Sequence, residues 1–213
     1  VNGLSEHLIS RIKALSNSEI GKTVKSRIHE FREVHEKESE DWFSELCFCI
    51  LTANSSAKLG IEIQSQIGKT GFLTMPQEEL EKRLRLLGHR FSQRRAEFIV
   101  SAREYSDIRA LICSFRDERE AREWLVKNVQ GIGYKEASHF LRNVGFDNVA
   151  ILDRHILRTM CEARMISELP KSLTRKKYLD LEQRLSHLAK ETGLPLSELD
   201  LYLWYMRTGK VLK

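Results

Sequence analysis

Apolar residues recur every three or four positions along most of this chain, the spacing that places them on one face of an α-helix. Leu4, Leu8, Ile12 and Leu15 follow this spacing near the start, and residues 172–192 follow it over a longer stretch. Only 3 Pro and 11 Gly occur among 213 residues, which disfavours a loop-rich β-sandwich or a disordered chain. The pattern therefore predicts an all-α protein of about ten helices.

Residues 42–51, WFSELCFCIL, are apolar on nearly every side of the predicted helix. This composition is typical of a central, buried helix, for which Ser39 is a suitable start. The long helix over 172–192 ends at Gly193, a residue that favours helix termination. The segment 146–153, FDNVAILD, is the one stretch whose pattern suggests extended backbone, and it is short.

Composition and charge limit the classes of protein to which this chain can belong. The chain has 35 Lys and Arg against 30 Asp and Glu, a net charge of +5 that permits nucleic-acid binding without requiring it. No stretch approaches the ~18 uninterrupted apolar residues of a membrane span. The first 21 residues carry charges throughout and lack an apolar signal core. We expect a monomer that works in the cytoplasm or nucleoid and is neither secreted nor bound to a membrane.

The four cysteines are predicted to be reduced thiols. Cys47, Cys49, Cys113 and Cys161 lack the paired CxxC spacing of zinc sites and the close clustering of iron–sulfur sites. No metal ligand set is therefore predicted from them.

A possible phosphate-binding turn lies within residues 119–144, REAREWLVKNVQGIGYKEASHFLRNV. Two predicted helices flank Val129, Gly131 and Gly133, and the two glycines suit a tight turn that a phosphate can approach closely. The N–H groups that open the second helix, aided by the helix dipole, would point at that anion. An ordinary helix–helix turn explains this Gly-x-Gly pattern equally well.

Two side chains suggest chemistry at this turn. Lys135 lies in the first turn of the second helix, where the helix field favours the neutral amine that a nucleophile requires. Asp153 follows 18 residues later at the start of the next helix, where its charged form is stabilised. Such a carboxylate can stabilise a positively charged sugar transition state. A solvated lysine and a simple N-cap are the alternatives.

The segment 130–156, QGIGYKEASHFLRNVGFDNVAILDRHI, resembles the helix–hairpin–helix and following Asp loop of the DNA glycosylase superfamily. That superfamily includes endonuclease III and the 8-oxoguanine DNA glycosylases. The chain is most similar to the compact archaeal and thermophile-type 8-oxoguanine glycosylase/lyases. The similarity extends to ELCFCILTANSSA, GHRFSQRRAEFI and DLYLWYMRTGKVLK, and so covers nearly the whole chain.

The resemblance implies a two-lobed all-α fold with the active site between the lobes. One helical domain would span 36–150 and contain the helix–hairpin–helix at about 119–144. The second would combine 1–35 with 151–213. The N-terminal β-domain of the larger eukaryotic-type relatives has no counterpart.

The implied activity is bifunctional base-excision repair of double-stranded DNA containing oxidised guanine. Such an enzyme flips out and excises 8-oxoguanine, then cleaves the strand at the abasic site by β-elimination through a lysine Schiff base. Lys135 would be the nucleophile and Asp153 the catalytic carboxylate. The alternatives are a bifunctional glycosylase for another oxidised base, such as an oxidised pyrimidine, and a non-catalytic helix–hairpin–helix DNA-binding module.

Further site residues follow from the same resemblance. Asn54 would fill the gap left by the flipped base or contact its orphaned partner, or it caps a helix that starts near Ser55. Phe91 and Trp204 would lie near the damaged base, although Trp204 could also be a core residue. Lys213 would offer a terminal carboxylate to the protonated N7 of 8-oxoguanine; the alternative is a frayed tail.

The resemblance also bears on cofactors and DNA-backbone contacts. The cysteine cluster of endonuclease III is absent, so no iron–sulfur cluster and no catalytic metal are expected. Relatives hold a monovalent cation at hairpin carbonyls, and Val129 is the corresponding position here. DNA phosphates would contact the hairpin at Val129, Gly131 and Gly133, together with basic side chains that could instead form surface ion pairs: Arg90, Arg94 and Arg95.

Overall fold

The computed structural model describes residues 3–213, with side chains from residue 5 onward. Within this range the chain forms twelve α-helices and one 3-10 turn, Arg103–Tyr105, and no β-strand. The helices are α1 (Gly3–Ser16), α2 (Glu19–His35), α3 (Ser39–Thr52), α4 (Ala57–Thr74), α5 (Gln77–Leu86), α6 (Ser92–Ala102), α7 (Ile108–Cys113), α8 (Glu118–Asn128), α9 (Tyr134–Asn143), α10 (Arg154–Glu162), α11 (Arg175–Thr192) and α12 (Leu196–Thr208). The all-α prediction is confirmed, with two helices more than the ten expected.

None of the helices in the described part of the chain combines the length and the apolar composition needed to cross a membrane.

The chain divides into two compact units. One comprises Val1–Phe31 and Phe146–Lys213, and the other comprises Arg32–Gly145. The first contains Asp153, Trp204 and Lys213, and the second contains the hairpin with Lys135. The sequence predicts one domain over 36–150 and a second that combines 1–35 with 151–213, and these domain limits stay a prediction.

The unit Arg32–Gly145 is built around α3. Every residue from Trp42 to Thr52 is buried, and α4, α6, α7 and α9 pack against this helix. Its buried carboxylate, Glu45, is fully paired, because Oε1 accepts from Gln64 Nε2 at 3.0 Å and Oε2 accepts from Asn143 Nδ2 at 2.9 Å. The predicted central helix starting at Ser39 is therefore confirmed, and Glu45 joins it to both α4 and α9.

In the other unit, the segment before α10 forms no strand, contrary to the extended run predicted for residues 146–153, and follows an irregular path with a bend at Asn148. Its backbone groups are bound instead by side chains of α11. Glu182 Oε1 accepts from the Ala150 N–H at 2.7 Å. The Tyr178 hydroxyl donates to the Ala150 carbonyl at 2.6 Å and accepts from the Leu152 N–H at 3.2 Å. These bonds fix the backbone that leads directly to Asp153.

We predict that Tyr178→Phe destabilises the protein. The buried Ala150 carbonyl and Leu152 N–H lose their shared partner, which should cost about 1–3 kcal/mol of unfolding free energy in urea denaturation. Tyr205→Phe is the matched control, since Tyr205 is half-buried and its hydroxyl has no hydrogen-bond partner within residues 3–213. Equal stability of the two variants would contradict the role of Tyr178.

Candidate active site

The turn between α8 and α9 requires a glycine at position 131. The Val129 N–H closes α8 by donating to Leu125 O at 2.9 Å, and the Ile132 N–H donates back to Val129 O at 3.3 Å. Gly131 has φ +82°, in the left-handed region. A Cβ at this position would lie 2.4 Å from Phe98 Cδ2. The predicted tight turn is therefore confirmed, and it packs directly on the Phe98 ring of α6.

Gly133 has a different role as the N-cap residue of α9. Its backbone is extended, with φ −99° and ψ −174°, and its N–H donates to Glu136 Oε2 at 3.3 Å. The N–H groups of the first helical turn have no partner within a helix. The hairpin thus presents donors suited to an anion, but the Gly133 donor already bonds a carboxylate of its own helix.

Lys135 is the second residue of α9, and its side chain is 26% exposed. Its Nζ lies 3.6 Å from Glu136 Oε1, whose side chain is 16% exposed. Glu136 was not among the residues predicted from the sequence. The signal for it is its position three residues after the N-cap, where a carboxylate reaches back to the N-cap N–H.

Asp153 is the N-cap residue of α10. Its Oδ1 accepts from the N–H groups of His155 and Ile156, both at 2.8 Å. Its Oδ2 has no hydrogen-bond partner within residues 3–213, and the side chain is half-buried. The predicted cap is therefore confirmed. One oxygen suffices for the cap, which leaves the other available for chemistry.

Trp204 lies close to the first turn of α10. Its ring meets that of His155 edge-on, with centroids 6.0 Å apart at 78°. Trp204 is half-buried, whereas Leu201, Tyr202 and Leu203 before it on α12 are buried. The interpretation of Trp204 as a plain core residue is therefore wrong. His155 was missed by the sequence reasoning, although it lies within the ILDRHI segment.

Asn54 lies exposed in the short connection between α3 and α4, with φ +58°. Asparagine tolerates this left-handed conformation better than most residues. The cap of α4 is Ser56, whose side chain accepts from the Leu59 N–H at 3.2 Å. The interpretation of Asn54 as the helix cap is therefore wrong. Its role at the gap left by a flipped base stays a prediction.

Phe91 is 37% exposed immediately before α6, and the Arg90 guanidinium lies 4.5 Å from its ring centroid. The loop is held by the buried His89. Its Nε2 bonds Leu51 O at 2.9 Å, and its Nδ1 accepts from the Phe91 N–H at 3.2 Å. An N–H can only donate, so Nδ1 carries no proton and the ring is neutral. Burial lowers the pKa of His89, and the bond to Leu51 opposes this in part.

The prediction that Arg95 contacts DNA phosphates is wrong. Arg95 is 6% exposed, and its Nη2 donates to Ala53 O at 2.6 Å. Burial lowers the pKa of its guanidinium, and the charge of Glu136 opposes this. Arg90 and Arg94 are exposed, and Arg94 lies 3.6 Å from Glu97. Arg95 therefore ties the turn before α4 to α6.

The cysteines and metal-ligating side chains form no centre in the described residues. Cys47 and Cys49 are buried in α3, Cys113 is exposed and Cys161 is half-buried, and all four are free thiols. Burial raises the pKa of the Cys47 thiol. No group of three or more His, Cys, Asp or Glu side chains is placed to hold a metal ion in residues 3–213. Val129 O accepts one N–H bond and keeps a second lone pair, so a monovalent cation there stays a prediction.

We predict that stability depends on pH through His89. Its pKa is lowered in the fold, so below its ordinary value of 6.5 the unfolded chain binds a proton that the native protein does not. The unfolding free energy should therefore fall as the pH drops below 6.5, by up to about 1 kcal/mol per pH unit. Urea denaturation at several pH values measures this.

His89→Gln should abolish this slope, because glutamine can still donate to Leu51 O but does not titrate. His187→Gln, at an exposed position on α11, is the control and should keep it. If the unfolding free energy of His89→Gln still falls with decreasing pH, the dependence must come from another titrating group.

We predict that Gly131→Ala is far more harmful than Gly133→Ala. At Gly131 the added Cβ meets the Phe98 ring at 2.4 Å in a left-handed backbone, which should cost about 2–3 kcal/mol. At Gly133 the nearest atom is Glu136 Oε2 at 3.2 Å, so the cost should stay near 1 kcal/mol or less. Denaturant unfolding of both variants checks this, and equal losses would contradict the assigned turn geometry.

Comparison with known proteins gives consistent matches. Residues 24–194 match the family profile described as 8-oxoguanine DNA glycosylase, Ogg-HhH. The chain is 58% identical over 206 residues to the 8-oxoguanine DNA glycosylase/AP lyase of Methanocaldococcus jannaschii, covering 97% of this chain and 99% of that protein. It is 50% identical over 209 residues to the protein of the same name from Korarchaeum cryptofilum, covering 98% and 99% respectively.

Two solved structures share the fold. The M. jannaschii 8-oxoguanine glycosylase/lyase, crystallised with a 15mer DNA containing 8-oxoguanine, superposes with a TM-score of 0.95 at 57% identity, covering 97% of this chain and 100% of that one. The 8-oxoguanine DNA glycosylase of Thermotoga maritima gives a TM-score of 0.92 at 45% identity, covering 98% and 100%. Since the profile matches most of a helical chain with this hairpin and the relatives match nearly all of it, the chain belongs to the helix–hairpin–helix 8-oxoguanine DNA glycosylase family.

Proposed function

We propose that this protein is a bifunctional DNA repair enzyme. It excises 8-oxoguanine from double-stranded DNA and cleaves the strand at the resulting abasic site by β-elimination. The observation that carries the proposal is Lys135 in the first turn of α9, directly after the glycine hairpin, in a family whose relatives are named glycosylase/AP lyase. We expect it to act on chromosomal DNA in the nucleoid.

DNA binding starts at the hairpin. Gly131 and Gly133 present no side chain, so a phosphate can approach the N–H groups at the start of α9. Arg90 and Arg94 are exposed on the same unit and can add phosphate contacts. The net charge of +5 suits weak, salt-sensitive sliding along DNA. The damaged nucleotide is then flipped out of the helix at a cost of a few kcal/mol.

Excision breaks the bond between C1′ and the base. The lone pair of neutral Lys135 Nζ attacks C1′ while the base leaves with the bonding electrons and takes up a proton. Positive charge develops on the sugar, and Asp153, through the oxygen that does not cap α10, stabilises it or assists proton transfer. Opening of the sugar ring gives an imine between Lys135 and C1′.

Strand cleavage follows from this Schiff base. The imine acidifies the C2′ proton, and its removal expels the 3′ phosphate oxygen, which cuts the strand 3′ to the lesion. Hydrolysis of the imine then regenerates the Lys135 amine. The steps from C1′ attack to hydrolysis of the imine can be carried out by the Lys135 amine, a carboxylate and water.

The side chains proposed to hold the nucleotide are accessible for it. Phe91 is exposed, and Trp204 is half-buried beside His155, so each can stack on a base. Asn54 projects from an exposed turn and is proposed to enter the gap that the flipped base leaves. Lys213 is half-buried, and we propose that it contacts the damaged base.

We predict that borohydride traps a covalent adduct between the wild-type protein and a duplex carrying 8-oxoguanine. Lys135→Gln should abolish this adduct, and Lys127→Gln, an exposed lysine on α8, should retain it. Parallel duplexes carry an oxidised pyrimidine or a preformed abasic site. No adduct on any duplex would overturn the lyase mechanism, and an adduct with the pyrimidine but not with 8-oxoguanine would overturn the assigned lesion.

We predict that Asp153→Asn lowers the single-turnover rate of base excision by about 100-fold or more, because the uncharged amide cannot stabilise the sugar cation. The amide oxygen can still cap α10, so the unfolding free energy should change by less than about 1 kcal/mol.

The control for Asp153→Asn is Asp117→Asn. Asp117 caps α8 in the same manner, accepting from the N–H groups of Arg119 and Glu120 at 3.1 and 2.9 Å. This variant should excise the base at the wild-type rate. A comparable loss of rate in both variants would show that capping, and not the charge of Asp153, supports the reaction.

A further inference from the structure

The net positive charge of the chain is concentrated in one segment. Residues 154–177 contain seven of the 35 Lys and Arg but only two of the 30 Asp and Glu, so this segment alone has a charge of +5. The rest of the chain carries 28 of each and is neutral overall. Within the segment, Glu162 does not neutralise its neighbours, because both of its oxygens accept from Arg207 Nη1, at 2.7 and 2.6 Å. A positively charged surface along α10 and the start of α11 follows.

Most of these cations have no counter-ion within the protein. Those that are exposed and make no ion pair with the side chains of residues 5–213 are Arg154, Arg158, Arg164, Lys171 and Lys176. Two placements oppose folding stability. Arg154 and Arg158 lie four residues apart on α10, where like charges repel. The first turn of α11 contains cations and no acidic side chain, an arrangement that the helix dipole disfavours. Charges that the fold itself does not use suit an anionic partner.

A cavity of about 620 Å³ lies at the C-terminal end of α10. Its walls carry the guanidinium groups of Arg164 and Arg184, the Ser167 hydroxyl and the Cys161 thiol, and none of its lining residues has a carboxylate. Two guanidinium groups with a hydroxyl are the donors that bind phosphate oxygens in proteins. The cavity therefore has the chemistry of a phosphate site.

The fold fixes both arginines at this cavity. Arg164 follows the end of α10 with φ +54°, a left-handed conformation in which glycine or asparagine is usual. The next N–H, that of Met165, donates to Met160 O at 2.9 Å and closes the helix. Arg184 of α11 donates through Nη1 to Met165 O at 2.8 Å, and its Nη2 lies 3.3 Å from Asp180 Oδ2. The guanidinium of Arg184 is therefore preorganised in the same cavity as Arg164.

The cavity is separate from the carboxylate of the proposed site but lies in the same unit, Phe146–Lys213. Arg164 comes eleven positions after Asp153 along α10, which is about 16 Å at the helical rise of about 1.5 Å per residue. A DNA duplex covers that distance in about five base pairs of about 3.4 Å each. One duplex can therefore reach both positions, whereas the flipped nucleotide at Asp153 cannot reach the cavity.

We propose that this cavity is a second phosphate-binding site, which holds the DNA backbone about five base pairs from the flipped nucleotide. The proposal rests on the function proposed above. Arg164 and Arg184 bind the phosphate oxygens, and the Ser167 hydroxyl donates a further hydrogen bond. The contact reads no base sequence, so it strengthens binding to damaged and undamaged duplexes alike and adds to the salt dependence of both.

The first test measures affinity for an undamaged duplex over a range of salt concentrations. Arg164→Asn removes the charge, and asparagine accepts the left-handed backbone, so the fold should be kept. The salt slope should fall by about 0.9, and the affinity at about 0.1 M salt should drop about eightfold, which is the loss of one phosphate contact. Arg116→Asn is the matched control, since the Arg116 side chain is 84% exposed on the other unit. It should change the affinity by less than about twofold.

The second test uses Cys161 as a reporter, because its half-buried thiol lines the cavity. Alkylation by iodoacetamide is followed by peptide mass spectrometry, with the exposed Cys113 of the other unit as the internal reference. An undamaged duplex at about ten times its Kd should slow alkylation of Cys161 about tenfold, and that of Cys113 by less than about twofold. Inorganic phosphate at about 1 mM, a single anion without the neighbouring contacts, should slow Cys161 by less than about twofold.

The third test locates the contact on the duplex. In a Lys135→Gln background, which is expected not to cleave, two duplexes with a central 8-oxoguanine are compared. One has an ordinary backbone, and the other carries neutral methylphosphonates about four to six base pairs from the lesion on each side. The neutral linkages should remove the difference in affinity between the protein with Arg164 and its Arg164→Asn variant.

Several outcomes would overturn the proposal. An unchanged salt slope in Arg164→Asn would mean that the cavity holds no DNA phosphate. Equal protection of Cys161 by inorganic phosphate and by DNA would identify a site for a free anion. A difference in affinity that persists with the neutral linkages would place the contact elsewhere on the duplex. If the wild-type protein binds DNA but forms no borohydride adduct, the proposed function fails, while the salt slope and the protection of Cys161 still decide whether the cavity binds a DNA phosphate.

Discussion

Helix α3 is buried on all sides over its last eleven residues, so every polar group it carries needs a partner inside the protein. The two oxygens of Glu45 are paired by Gln64 of α4 and by Asn143 of α9. The carbonyl oxygen of Leu51 is bound by His89, and that of Ala53, just after the helix, by Arg95. The burial of a single helix therefore fixes α9, the turn that carries Asn54 and the loop that carries Phe91 in one compact unit.

The hairpin joins this framework through α6. Phe98 packs against the bare backbone of Gly131, and Arg95, three residues earlier on the same helix, interacts electrostatically with Glu136. Backbone donors, a carboxylate and a lysine are thus gathered within a few residues of one turn. This explains why a net charge of +5 suffices for a DNA-binding protein, since backbone N–H groups that no charge count includes can hold phosphates.

Much of this architecture could be predicted from the sequence, because its signals are local. The uniform apolarity of residues 42–51 identified the buried helix, and Gly193, at φ +73°, ends α11 where expected. The cap at Asp153 was also predicted correctly. The errors concern tertiary contacts. Nothing local separates buried Arg95 from exposed Arg94, since only the packing of α6 against the end of α3 decides which guanidinium is enclosed. The ion pair of Glu136 with Lys135 likewise depends on side-chain placement.

The central claim is that the amine of Lys135 forms the covalent bond to the sugar. The most direct measurement is peptide mapping of the borohydride-trapped complex with an 8-oxoguanine duplex after nuclease and trypsin digestion. A modified Lys135 blocks tryptic cleavage, so the account predicts that the sugar remnant is carried by the fragment 128–142, NVQGIGYKEASHFLR. An adduct on any other lysine, or on the terminal amine, with this fragment cut normally after Lys135, would contradict it.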